Sequence, residues 1–431
     1  MDLRVQGALL ENILKEQGTE KFTYVLVLSE KQELNVESGS FKLMRTTFNK
    51  YGSVRVYEND RMGNVSGNDL SEEGLRKLAE GAKTAAQSAE EDPCHDLAPG
   101  QGSDVFRQGV LEPDLDKFIF RIREFLDAVA KEYPTVRVIS SMGSYDCSHW
   151  YSNNSNGTEF EAYEGQYSFS IEISATDGET TTSADYTGFC TKDLDTPFLE
   201  MGDLKSHIEN IAKSIYPTAM EGKFEGCMVL TPGAAANFLG MLIGNYTSDT
   251  TLIEGTSQWL DKVGEQVCDE KLTVTFDPYD ERIVIGERGT RNGFRSEKVT
   301  LIDKGVLTGH RLSLYGAKKT GRPVMKNTGW DLIVEPGDTS FEDMIASIEK
   351  GILVGYYSGG SPGTNGEFSG VAKNSFLIEN GKITGAVTET MINGNLGEAF
   401  RHIRSISKEQ LADGGSVVPY IALDGIVVSG K

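Results

Sequence analysis

Five histidines, five cysteines and one Gly-x-Ser-x-Gly stretch are the residues from which this chain could build metal or nucleophilic chemistry. Hydrolytic metal chemistry needs three ligands, an open position for water and a nearby base. The histidines stand at 95, 149, 207, 310 and 402, no two of them close in sequence. Cys94 and His95 are adjacent, and on a strand they would point to opposite faces and suit one ion poorly. Cys147 and His149 would share a strand face and could in principle hold one ion. No helical metal motif is present. Gly359-Gly360-Ser361-Pro362-Gly363 fits the nucleophile pattern, but an elbow requires a strand before the serine and a helix after it. VGYYS could supply the strand; PGTNGEFSG cannot start a helix and reads as a flexible loop. Neither GxxxxGK[ST] nor a GxGxxG between strand and helix occurs, so nucleotide binding has no support.

The elements that must position these residues fall into two halves. In the first, Leu3, Leu9, Leu10, Ile13 and Leu14 mark an amphipathic helix, FTYVLVLSE and GSVRVYEND read as strands, and Ser71 opens an Ala-rich helix. Glu90 to Asp104 is a loop by its Pro, Gly and Asp content, and a second long helix spans about Leu115 to Tyr133. The Ser-, Thr- and Tyr-rich stretch from Thr135 to Cys190 turns at Asn156-Gly157 and Asp177-Gly178 and reads as an antiparallel meander. A helix from about Gly202 to Tyr216 closes this half. The second half is Gly-rich strand, with hairpins in VTLIDKGVLTGHRL and NSFLIENGKITGAV. One helix capped by Ser340 and Asp343 interrupts it, and VVPYIALDGIVVSG closes it as a buried strand. The expected class is α+β. Residues 1–222 form an N-terminal domain of helices on an antiparallel sheet, and residues 223–431 a mostly antiparallel, barrel- or sandwich-like β domain.

Charge narrows the partners. With 64 acids against 42 bases the formal net charge is −22, and no Lys/Arg stripe reverses it, so direct nucleic-acid binding is not expected. No apolar run approaches the roughly 20 residues of a spanning helix, and MDLRVQGALLENILKEQ lacks the build of a secretion signal, so no membrane contact and a cytoplasmic location are expected. The cysteines at 94, 147, 190, 227 and 268 form no CxxC and read as reduced thiols.

In order along the chain, GSVRVYENDRMGNVSGNDLSEEGL, EEDP, the NSNG of Asn154 to Gly157, VTLIDKGVL, the helix region from Asp338 to Ile352, SGVAKNSFLIENGKITGAV and MINGNLGE resemble the TldD/TldE family. Its TldE branch is also called PmbA and carries the label modulator of DNA gyrase. The resemblance implies cytosolic, metal-dependent proteolysis by a pair of related subunits. The TldD-type subunit carries His-Glu-x-x-x-His on a helix, with a further Cys ligand near the C-terminus. Aligning CMVLTPGAAANFLGMLIGN with that pattern sets Gly240 and Met241 at the first His and the Glu, Asn245 at the second His, and the Cys position near Leu411. Gly offers no ligand atom, Met241 cannot take a proton and Asn245 is a neutral amide, so no metal or other cofactor is expected in this chain and zinc is expected in its partner.

The resemblance therefore implies a TldE/PmbA-like, non-catalytic subunit, heterodimeric with a TldD-like metalloprotease and helping to hold unfolded or extended peptides. Loops at Ser358 to Phe368, with Ser361, and at Met391 to Gly397, with Asn393, Gly394 and Asn395, are its candidate peptide groove. A homodimer in the absence of the mate is also expected. Two other readings stand beside it: a non-proteolytic binding protein of the gyrase-modulator type, and an autonomous serine hydrolase using Ser361.

Overall fold

Every second residue from Phe22 to Leu26 is buried, so the strand Lys21–Glu37 turns one face to a core and the other to the outside. The computed structural model, which describes residues 1–430, builds its first sheet around this strand. Ser40–Glu58 and Val136–Asn154 flank it, both antiparallel; Arg61–Gly67 pairs with the former and Thr158–Ala175 with the latter. Asp185–Thr191 completes the meander, turning through Gly178 at φ 101°. Gly102–Gly109 also joins the sheet, running parallel to Thr158–Gly165. Helices Leu3–Glu16 and Glu72–Ser88 cover one end of a face with leucine and alanine, and helices Leu115–Glu132 and Leu204–Lys213 cover the other. The second of these is shorter than the expected Gly202 to Tyr216.

The second sheet is drawn from Thr218 to Ser429 and is mostly antiparallel, with a few parallel pairs. Its organiser is the closing strand Ser416–Ser429, which pairs antiparallel with Lys223–Leu230, Met391–Asn395 and Ile403–Ala412, and parallel with Leu332–Val334. Lys350–Val354 lies parallel to Cys227–Leu230. The two expected hairpins are present. The one between Ser375–Glu379 and Lys382–Thr388 turns at Asn380 and Gly381, both at positive φ. Ser340 caps Phe341–Ala346: its hydroxyl accepts from Asp343 N at 3.1 Å and donates to that carboxylate at 2.6 Å. The helix is followed at once by the strand Lys350–Val354, which holds Gly351.

The two sheets are stitched by polar contacts. The Gln108 side chain exchanges two 3.0 Å hydrogen bonds with the Gly286 backbone, Cys190 N donates to Asp413 O at 2.8 Å, and Tyr315 Oη donates to Asp92 at 2.8 Å.

Candidate functional site

Helix Pro232–Thr247 is the scaffold of the candidate site. Thr231 caps it, its hydroxyl oxygen accepting from Ala234 N, and Pro232 sets its first turn. The underside is apolar: Phe238 packs edge-on against Tyr357 and Phe368 with ring centres 5.2 Å away, and Tyr246 stacks on Trp259 at 4.8 Å. The upper side is small or neutral. Ala236, Asn237, Gly240, Met241, Gly244 and Asn245 form the floor of an open groove walled by Thr251, Trp330, Ser361 and Pro362. The indole of Trp330 lies over Gly240, where an added Cβ would come to 3.4 Å of the ring.

A loop closes one side of the groove, held from three directions by amides. Asn245 Nδ2 donates to Gly363 O at 3.1 Å, Asn395 Nδ2 to Asn365 O at 2.7 Å and Gln258 Nε2 to Asn365 O at 3.0 Å. The Asn245 side chain therefore serves as a backbone clamp. No residue of the groove can move a proton near neutral pH, and none is a good zinc ligand. The donor set does not fit a metal ion, and among the described residues no three His, Cys, Asp or Glu side chains converge on one point.

A second cavity, of about 480 Å³, opens at the other end of the same helix, in the seam between the sheets. Thr231, Pro232 and Gly233 line it together with His207, Asp185, Asp203 and Glu409. His207 Nε2 lies 2.7 Å from Asp185 Oδ2, and its Nδ1 lies 4.0 Å from Asp203 Oδ2. Burial pulls the imidazole pKa down, but the hydrogen bond and charge of Asp185, helped by Asp203, outweigh it and hold the pKa above its ordinary value. Asp185 also accepts from Asn374 Nδ2 of the second sheet, and Asp203 from the Thr187 hydroxyl.

Residues 225–430 match the family model described as the PmbA/TldA metallopeptidase C-terminal domain, and residues 25–86 match PmbA/TldA metallopeptidase domain 1. The chain belongs to the PmbA/TldD family. It is 24% identical over 411 residues to Metalloprotease PmbA of Escherichia coli O157:H7, covering 89% of this chain and 87% of that one. It shares its fold with TldE of Thermococcus kodakarensis, at a TM-score of 0.82 and 21% identity over 98% of this chain and 100% of the other. A Bacteroides thetaiotaomicron protein named for modulation of DNA gyrase superposes at a TM-score of 0.83, with 22% identity and 99% of each chain covered.

In this PmbA/TldD chain Gly240, Met241, Asn245 and Ser361 meet in one groove, whereas Leu411 does not reach it. Leu411 pairs with Val418 and borders the seam cavity beside Gly233, about 10 Å along the helix from Gly240 at 1.5 Å per residue. Register shifts between Ile406 and Gln410 decide which side chains of that strand face the helix, and linear spacing cannot show them. Met391 to Gly397 is no loop either. Met391–Asn395 is a strand between Glu367–Val371 and the closing strand. Asn393 accepts from the Ser369 hydroxyl, Gly394 allows Phe368 and Ile426 to approach, and Asn395 caps the helix Leu396–Arg401. After Gly359 the chain runs as a loop to the strand Glu367–Lys373, so no helix follows Ser361 and no elbow forms. Cys147 packs against the first half's core, while His149 Nε2 is 2.8 Å from Glu161 and the ring stacks on Tyr163. The local signal of the seam cavity is the i, i+4 spacing of Asp203, which caps the helix Leu204–Lys213, and His207 within it.

Proposed function

We propose that this chain is a non-catalytic subunit of a TldD/TldE-type metalloprotease, pairing with a TldD-like chain that carries the zinc and helping it to hold unfolded or extended peptides. The observation that carries this reading is the groove over Gly240, Met241 and Asn245. It is shaped and clamped like a site, yet it lacks any group able to bind a metal or take a proton. Its glycines leave the helix backbone open to close approach, which suits a bound chain better than a reacting centre. The name metalloprotease borne by the Escherichia coli relative belongs to that protein; here the chemistry comes from the mate. The work is done in the cytoplasm, a reading supported by five cysteines that form no disulfide, of which burial pushes Cys227 up to about 12 and out of thiolate reach.

The test is reconstitution. Mixed with a TldD-like protein of the same organism, the chain should co-elute with it and yield peptide cleavage that neither gives alone. Cleavage by this chain alone, abolished by Ser361→Ala, would turn the reading toward a serine hydrolase. Against that outcome, no His, Asp or Glu lines the groove beside Ser361. Capture of gyrase with no protease in the complex would turn it toward a binding protein.

A further inference from the structure

The strand Lys21–Glu37 sends Phe22, Tyr24 and Leu26 into the core beneath the helices, so Thr23, Val25 and Val27 face the other way. On that side the segment from Glu287 to Arg291, from the second half, roofs the first sheet, and the two enclose a cavity of about 510 Å³. It shares no lining residue with the groove or the seam. Small-molecule sites run to roughly 300–1,000 Å³ and favour such places between two halves of a chain.

Strand register fixes what lines the cavity. Val27 lies between Tyr51 and Trp150, and Val25 between Ser53 and Ser152, with Phe160 one strand further. Floor and one wall are therefore apolar, and both valines and Trp150 are only half-buried. Gly289 lets the roof descend on this wall, since an added Cβ there would come to 2.8 Å of the Phe160 ring.

The opposite wall is polar and cationic. Arg55 Nε donates to Asn64 Oδ1 at 3.3 Å. Arg295, close by in the roof, is paired with Asp104 at 2.9 Å, whereas neither Arg55 nor Arg291 has an ion pair among the described residues. These two guanidiniums come from different halves and meet near the Tyr51 hydroxyl. Hydrogen bonds with Ser66 and Ser53 hold that hydroxyl below its ordinary pKa, and the charges of Arg291 and Arg55 lower it further. The one acid of the lining, Glu287, has both oxygens engaged: it accepts from the Ser296 hydroxyl, Thr328 N and the Thr328 hydroxyl at 3.0, 2.7 and 2.6 Å. Two guanidiniums against one carboxylate leave one positive charge uncancelled, in a chain of net charge −22.

The geometry points to a binding site for a carboxylate carried on an apolar body. The acid group sits between Arg55 and Arg291, whose forked donors match two carboxylate oxygens, and the apolar part lies on Val25, Val27 and Trp150. A monoanion cancels the surplus charge, whereas a phosphate dianion would overshoot it. A small organic acid and the C-terminal residue of a peptide present this same chemistry. The site is built from this chain alone, so the inference does not rest on a metalloprotease mate.

Isothermal titration of the full chain with N-acetyl-phenylalanine tests it. The acid should bind one-to-one, and its amide, which lacks the charge, about ten-fold or more weakly. N-acetyl-glycine, with the acid but no ring, should also lose about ten-fold. Arg55→Gln and Arg291→Gln should each weaken the acid by a similar factor without moving the thermal melt, because neither guanidinium closes an ion pair in the free chain. A peptide ending in a free Phe that binds as well as the acid assigns the site to chain ends; a peptide shut out while the acid binds assigns it to free acids. Equal binding of acid and amide, affinity indifferent to both arginine variants, inorganic phosphate bound in preference to the acid, or no binding of the acid overturns the inference.

Discussion

Toward its C-terminal end, helix Pro232–Thr247 floors a groove of glycines, a methionine and asparagines; at its N-terminal end it meets His207, Asp185, Asp203 and Glu409. By composition alone the second recess has the equipment for acid–base work and the first has none. Geometry reverses the emphasis. In the seam His207 is turned on Asp185 and Asp203, Asp185 Oδ2 meets both His207 and the Asn374 amide of the other sheet, and Glu409 accepts from Phe341 N. The neutral groups of the groove leave its floor open and use their amides to clamp a loop. Titratable side chains in a cavity therefore mark a structural fastening here, and the more open recess is the one without them.

Three substitutions can break or sharpen that contrast. The largest effect belongs to the seam. Asp185→Asn should cost about 1.5–3 kcal/mol, as expected for a hydrogen bond to a charged group, read from urea unfolding. Its pH dependence gives the sign. Because the His207 pKa is raised in the folded state, the pairing stabilises fully below the ordinary value of 6.5 and fades as pH climbs through the folded value. The penalty of Asp185→Asn should accordingly be greatest near pH 5.5 and smaller at pH 9; an equal penalty at both would mean that the pair is not ionic. Next comes Asn245→Ala, which removes the 3.1 Å donation to Gly363 and should cost about 1 kcal/mol. Faster proteolytic nicking between Ser361 and Asn365 would accompany it, and an unchanged cleavage pattern would remove the clamp from the account. Smallest is Gly244→Ala. An added Cβ there meets nothing within 4 Å, so the variant should gain about 0.5 kcal/mol from helix propensity. A drop in melting temperature would show the groove to be tighter than described.

Local signals were legible wherever the chain's own neighbours decide the outcome. Thr231 and Ser340 announce helix starts, Asn380-Gly381 a hairpin, and the Gly-Ser run at 359–363 a loop. The groove floor is legible in the sequence because Gly240, Met241 and Asn245 lie on one helix. What escaped depends on partners far along the chain. Gly102–Gly109 enters the first sheet parallel to a strand some fifty residues later, and nothing within it names that partner. Met391–Asn395 has the Asn and Gly of a turn but is held extended by strands on both sides. Leu411 borders the seam rather than the groove, and the irregular pairing before it breaks the link between spacing and facing. The seam cavity takes lining residues from segments between Asp185 and Tyr420, a convergence no window of sequence can display.

The arrangement of the closing strand bears on how the molecule comes into being. Ser416–Ser429 is the partner that Lys223–Leu230, Leu332–Val334, Met391–Asn395 and Ile403–Ala412 all share. A ribosome delivers it after all of them, so those strands must wait, edges bare, for the piece that joins them. The earlier sheet has every strand in hand by Thr191 and can settle while synthesis continues. Chaperone demand should therefore peak late in translation, in the half that carries the groove.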